Sequence, residues 1–226
     1  MIDPVRIEDL RRELPVTEWW QWVRQILGNL RATDEGRAYM RFAKGPVKRL
    51  KEEVIPTLQL AERQFPGRDL LLRFPADGSA ADALMRSPTT SVPVPIQVTC
   101  DWGHDDERRL QIMHRDGVVH GSGPILKVNG RLETKGRAYS IEDVVSDFTS
   151  IVRDRLTSKS AHGGYAPSTW LVIHINDERL PPEGLPELLK YSRTAAAAIS
   201  PFAATFLVGS SDEKRVCELL SGVATL

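Results

Sequence analysis

The chain predicts an α/β fold of the α+β kind, with a central mixed β-sheet flanked by helices and a helical N-terminal region. Three observations carry this. Residues 4 to 63 place apolar side chains at helical spacing. Three short strand-like runs then follow in quick succession between Asp69 and Cys100. From Ser140 onward helix and strand alternate, and strand–helix–strand is the unit that makes parallel neighbours.

The helical region divides at its punctuation. Ile7, Leu10 and Leu14 recur at helical spacing until Pro15 ends the segment. Thr17 can cap a second helix, TEWWQWVRQILGNL, with Gly28 and Asn29 near its exit. Trp19, Trp22 and Val23 share its apolar face, continued by Ile26 and Leu30. Asp34 can start a third helix. A fourth begins at Pro46, with the stripe Val47, Leu50, Val54 and Leu58, and Pro56 kinks or restarts it.

The texture changes at Phe65-Pro66-Gly67. Asp69 to Phe74 is the first strand, Ala81 to Met85 the second, and Pro93 to Cys100 the third. The prolines of the third suggest an edge position or a late start to its pairing. Residues 101 to 116 suit a short helix, and 117 to 138 an irregular loop or hairpin. Ser140, with Asp143 as the acid of a capping box, opens the clearest helix, whose stripe runs from Ile141 through Phe148 to Leu156. WLVIHI, residues 170 to 175, is the best strand. Leu185 to Ile199 is a helix and Ala204 to Val208 a strand, and Ser211 begins a short terminal helix. This organisation places a helical region at 1–45. An α/β core follows at 46–226, ending in a helix–strand–helix extension.

Composition narrows the function classes. Of the 226 residues, 30 are Lys or Arg and 30 are Asp or Glu, so the formal charge is zero. Bulk charge therefore does not drive nucleic-acid binding, although a local basic patch can. Cys100 and Cys217 are far apart and sit among apolar residues, as two reduced, buried thiols would. No apolar run approaches the roughly 18 residues of a membrane span, and the charged N-terminus lacks a signal-peptide core. A soluble, cytoplasmic protein is expected.

The α-β-β-β-α-β order between about Pro46 and Ile175, with Asp82 at the second strand and Gln97-Val98-Thr99 on the third, resembles the core of the PD-(D/E)XK, or restriction-endonuclease-like, superfamily. The resemblance implies that Asp82 and Gln97 ligate a magnesium or manganese ion, with the Val98 carbonyl as a third ligand. Such ions want hard oxygen donors and keep several waters. The family's lysine steadies the attacking water and the phosphate charge. Thr99 falls on its position and cannot do that. Lys159, near the end of the helix that Ser140 opens, is the candidate for a relocated cation, and Lys127 is a weaker one. The resemblance implies hydrolysis of DNA phosphodiesters. The departure at Thr99 keeps an inactive scaffold in view, binding a protein partner or nucleic acid.

Other clusters have plainer readings beside functional ones. CDWGHDDERRL after the third strand can send His104 or Glu107 to the same metal, or be a solvated helix start whose acids complement the dipole. His114 and His120 match no zinc signature. Arg37, Arg41 and Lys44 form one helical stripe, continued by Lys48 and Lys51. It suits a phosphate backbone, or the wet face of an amphipathic helix. Lys159, His162 and Tyr165 can gather over a phosphate. Trp19, Trp20 and Trp22 suit the core, or a partner or homodimer surface if exposed. GSGP at 121 to 124 and HGG at 162 to 164 are turns without phosphate-loop or nucleophile-elbow spacing.

Overall fold

The computed structural model describes residues 5–41, 45–76, 78, 80–101, 109, 111–113, 115–116, 125–134, 139–210 and 215–221. Its centre is two strands, β7 (Trp170–Ile175) and β8 (Ala204–Gly209), in which every residue is buried. Strands hidden on both faces read as continuous apolar runs, which is why WLVIHI stands out in the sequence. Around them the sheet has seven strands in the order β1-β2-β3-β4-β7-β8-β9. β1 (Leu14–Pro15), β2 (Leu71–Arg73), β3 (Ala83–Arg86) and β4 (Val94–Cys100) pair antiparallel in succession. β4, β7 and β8 are parallel, and β9 (Val216–Ser221) closes the far edge antiparallel. A separate hairpin, β5 (Ile125–Val128) with β6 (Arg131–Thr134), turns at Asn129-Gly130, both at positive φ as such a turn needs.

Parallel neighbours need crossovers, and helices supply them. α6 (Ile141–His162) lies between β4 and β7, and α7 (Leu185–Ile199) joins β7 to β8. Both cover one face, where Val145, Phe148, Val152, Leu156, Leu188 and Ala196 pack on Leu171, Ile173, Ile175 and Leu207. The capping box at the start of α6 is formed in both directions between Ser140 and Asp143. The stripe holds from Val144 onward, but Ile141 at its head is exposed.

The opposite face carries the N-terminal helices. These are α1 (Ile7–Leu10), α2 (Val16–Arg31), α3 (Asp34–Arg41), α4 (Gly45–Arg49), a π-helical turn at Leu50–Val54, and α5 (Ile55–Gln64). Leu10, Trp19, Val23, Leu30, Val47, Leu50, Val54 and Leu58 share one core with Ile96, Val98, Trp170, Val172 and Phe206. The 1–45 region thus packs into the same core as the sheet. β1, from that region, is itself a strand of the sheet. Trp19 is the anchor. It is fully buried, donates from Nε1 to the Leu72 carbonyl at 2.9 Å, and meets Phe74 edge-on at 5.0 Å. Trp20 and Trp22 pack half-buried against the same core.

Several boundaries differ from the sequence reading. The first helix stops at Leu10, because Leu14 and Pro15 extend to pair with Leu72 and Leu71. The second starts at Val16, one residue before Thr17. The Leu70 carbonyl accepts the Val16 N–H at 3.0 Å, so the sheet satisfies that helix donor. The helix also runs through Gly28-Asn29 to Arg31, held by the burial of Leu30 beyond them. β4 is interior, yet its pairing starts late. The parallel register with β7 begins at Ile96, so Pro95 lacks its N–H where no β7 partner exists. The terminal helix expected at Ser211 is not formed over the described residues. Val216 to Ser221 instead alternate as a strand against β8, and the extension is helix–strand–strand. At Pro56 the helix restarts as expected, with the proline in the first turn of α5. The turn before it widens to a π-helix, with the Ile55 N–H reaching the Leu50 carbonyl. Among the described residues no helix is long and apolar enough to cross a membrane.

Trp19 fixes how the helical layer meets β2. Trp19→Ala removes its ring from a closed core and takes one donor from the Leu72 carbonyl. It should cost about 3–5 kcal/mol in chemical denaturation. Ser140→Ala, at the α6 cap, should cost about 1 kcal/mol.

Candidate functional site

Asp82 precedes β3 by one residue, and this offset builds the site. Its backbone N–H donates to the Ile96 carbonyl at 2.9 Å, the last rung of the β3–β4 ladder. The next donor on β4, the Val98 N–H, has no β3 carbonyl to meet. Asp82 Oδ2 accepts it instead at 2.8 Å. In an extended strand a residue's N–H and C=O lie on the same edge, so the Val98 carbonyl faces this notch too.

Gln97 is buried on the face that α6 covers, whereas Ile96 and Val98 point into the opposite core. Its Nε2 donates to the Ala80 carbonyl, and its Oε1 accepts from Lys159 Nζ at 2.9 Å. The amide orientation is therefore fixed, since the lysine can only donate and the carbonyl can only accept. Asp82, Gln97 and Lys159, from three separate elements, are brought together. Val98 borders the same notch. Thr99 is half-buried one step further along β4, opposite Ile173.

A second carboxylate, Glu53, reaches this place from the π turn on the other face. Arg49, one turn earlier, holds its Oε2, with Nε at 2.7 Å and Nη2 at 2.6 Å. Burial raises the pKa of Glu53 against that guanidinium, and the charge on Asp82 raises it further. Burial likewise raises Asp82, while the Val98 N–H, Lys159 and Arg49 pull it down. Both acids are thus disfavoured as anions by burial, and Glu53 also by the charge of Asp82. Arg155, four residues before Lys159 on α6, shares its helix face and acts on Cys100 at the end of β4. Cationic groups approach from both layers.

A magnesium or manganese ion is tested against this donor set. Among the described residues no group of three or more His, Cys, Asp or Glu could hold a metal. The available donors are two carboxylates and a backbone carbonyl, because the Gln97 amide oxygen expected as a ligand already accepts from Lys159. All are hard oxygens, and magnesium sites often use only one or two carboxylates plus waters. A cation would also offset the burial of both carboxylates. The residues fit such an ion. They fit zinc less well, since zinc sites usually include histidine nitrogen or cysteine sulfur. The nearby Cys100–His174 pair is no substitute. Sγ lies 3.7 Å from Nδ1, burial pushes the thiol up, and burial takes His174 down to about 4. Both groups are neutral at pH 7. Both cysteines are free and half-buried.

The remaining expectations scatter. Arg37 is tied to the Asp34 carboxylate in its own helix and to the Arg31 carbonyl at the end of α2, which commits it to the junction of the two helices. The Arg41 side chain and Lys44 lie outside the described residues, as do His104, Asp105, Asp106, Glu107, His114, His120 and the turn at 121–124. Lys51 Nζ donates to the Met40 carbonyl at 3.3 Å and ties the end of that helix to the π turn. Lys127 is in the separate hairpin. His162 bonds the Ser158 carbonyl at 2.6 Å. Tyr165 does sit close to the site, where burial and the Asp82 charge raise its phenol. Sequence reasoning missed Glu53, Arg49 and Arg155. The signal for Glu53 was Pro56 three residues on, which marks a disturbed helix turn of the kind that often re-aims a side chain. No known family model matches the chain, and no curated protein or solved structure matches it.

The raised Asp82 carboxyl makes a signed prediction. Its folded pKa lies above the ordinary 3.8, so its contribution is fully present below that value and is lost as pH rises through the folded pKa. Asp82→Asn should therefore melt higher than wild type at pH 7.5, and the gap should shrink toward pH 4 in thermal scans. A variant less stable than wild type at pH 7.5 would contradict this account. His174 has the opposite sign. Its contribution is present above 6.5 and is lost as pH falls toward about 4.

Proposed function

We propose that this protein is a divergent metal-dependent nuclease of the PD-(D/E)XK type that hydrolyses phosphodiesters of DNA. One observation carries the reading: Lys159 comes from α6 to Gln97, beside Asp82, in a chain whose third strand has Thr99 in place of the family's lysine. A lysine carried on the helix can serve the phosphate as one on the strand does, provided its ammonium arrives at the same spot.

Each residue then has a chemical task. Asp82, Glu53 and the Val98 carbonyl would hold a magnesium or manganese ion, which polarises a phosphoryl oxygen and supplies a nucleophilic hydroxide near neutral pH. Lys159 offsets negative charge that grows on the phosphate during attack. Gln97 orients Lys159 through its amide oxygen and is itself held by Ala80. Arg49 fixes the Glu53 carboxylate and keeps it from turning away.

A second reading has its own support. Both ends of the Gln97 amide are engaged, so the Lys159–Gln97 bond also serves as a structural tie between α6 and β4. On that reading the protein is an inactive nuclease-fold scaffold that binds a protein partner or nucleic acid. The half-burial of Trp20 and Trp22 leaves them less to offer such a partner than a free tryptophan face would.

Metal titration separates the two. Manganese or magnesium should raise the melting temperature of the wild type by mass action, and the metal-dependent rise should vanish in Asp82→Ala and weaken in Glu53→Gln. With manganese present, Lys159→Ala should lower the rate of DNA cleavage by about 10²–10³-fold. Absence of any metal-dependent shift in the wild type favours the scaffold.

A further inference from the structure

A cleft of about 210 Å³ opens beside the site, on the sheet face that carries Gln97. Its floor is a row across three strands. Arg73 pairs in register with Leu84, and Leu84 with Pro95, so all three side chains share one face. One wall is the segment that follows α6. Gly163 and Gly164, at φ 60° and 74°, turn the chain there, and Tyr165 and Thr169 line the cleft. The other wall is Ala80 and Ala81, and Ala80 is the residue whose carbonyl holds Gln97. The cleft and the Asp82 notch are therefore contiguous.

Its dimensions and chemistry select an occupant. Pockets for drug-sized ligands run from about 300 to 1,000 Å³, so this one takes a single ring system. Leu84 and Pro95 give it an apolar floor, and Tyr165, packed 5.0 Å from Phe202, gives it an aromatic wall. Arg73 is exposed in the lining, while Lys159 stands behind Gln97. An aromatic ring flanked by two anionic groups matches a nucleobase between consecutive phosphates. A base inside a duplex stack presents no free face to a cleft and must leave the helix first.

We propose that the cleft seats one unpaired nucleotide of the DNA strand. The base lies between Tyr165 and the Leu84–Pro95 floor, one neighbouring phosphate at Lys159 and the other at Arg73. The preferred substrate is then a single strand, a flap or a frayed end, and not a blunt duplex. This rests on the nuclease reading for the position of the scissile phosphate.

The test is binding without catalysis. A short labelled single strand and its blunt duplex are titrated with the full chain in EDTA and read by fluorescence anisotropy. The single strand should bind at least about tenfold tighter. Tyr165→Ala should remove most of that advantage, and so should Leu84→Trp, which fills the cleft. Circular dichroism confirms that each is folded. Arg73→Ala, at an exposed position, gives a third variant with the same expected direction. Equal affinity for strand and duplex overturns the assignment, as does a preference that survives all three variants. Cleavage in manganese tells the two ideas apart. A cleft-dependent strand preference without cleavage by any preparation keeps the cleft and sinks the nuclease. Asp82-dependent cleavage that ignores strandedness and the Leu84→Trp change does the reverse.

Discussion

The arrangement around the site depends on one hydrogen bond, from the Val98 N–H to the Asp82 carboxylate. Because β3 begins at Ala83 while β4 runs on to Cys100, the ladder on that edge of β4 ends early. A buried edge donor left unpaired would cost about 1–3 kcal/mol. Asp82 removes that cost, and in doing so it places a carboxylate at the open end of the β3–β4 ladder, between the two helical layers. Glu53 arrives from one layer and Lys159 from the other. Neither helix needs to be unusual elsewhere for this convergence to occur.

The convergence is electrostatically uneven. Two acids sit in a partly dry notch and each suffers from burial, one of them also from its neighbour. Arg49 and Lys159 offset this without removing it. A protein selected for stability alone would gain by replacing one acid with an amide. Sites that bind cations commonly retain such an imbalance, because the ligand supplies the missing charge.

Much of the fold was legible because its signals are local. The Ser140-x-x-Asp143 box, the apolar run Trp170–Ile175 and the stripe from Val47 to Leu58 each state their element within a few residues. The misreadings came from non-local causes. Whether Leu14-Pro15 is helix end or strand depends on Leu71 and Leu72, nearly sixty residues away. Whether residues 216–221 are helix or strand depends on the open edge of β8. At the site, Asp82, Gln97 and Lys159 were named from a pattern of types and positions. Glu53 was not, since its neighbours Lys51 and Glu52 read as an ordinary charged helix face. Only the π turn distinguishes it, and that turn is a response to Pro56.

A lysine on a helix and a lysine on a strand are not equivalent supports. A strand lysine is held by the same sheet that holds its acidic partners, so their relative positions are nearly rigid. Lys159 hangs from the last turn of α6, four residues before Gly163, where helices fray most readily. Its position is instead secured at the tip, by the bond to Gln97, and through Gln97 by Ala80 in the loop before β3. That loop also forms a wall of the Tyr165 cleft. Ala80 therefore belongs both to the hydrogen-bond chain that positions the Lys159 ammonium and to the lining of the cleft.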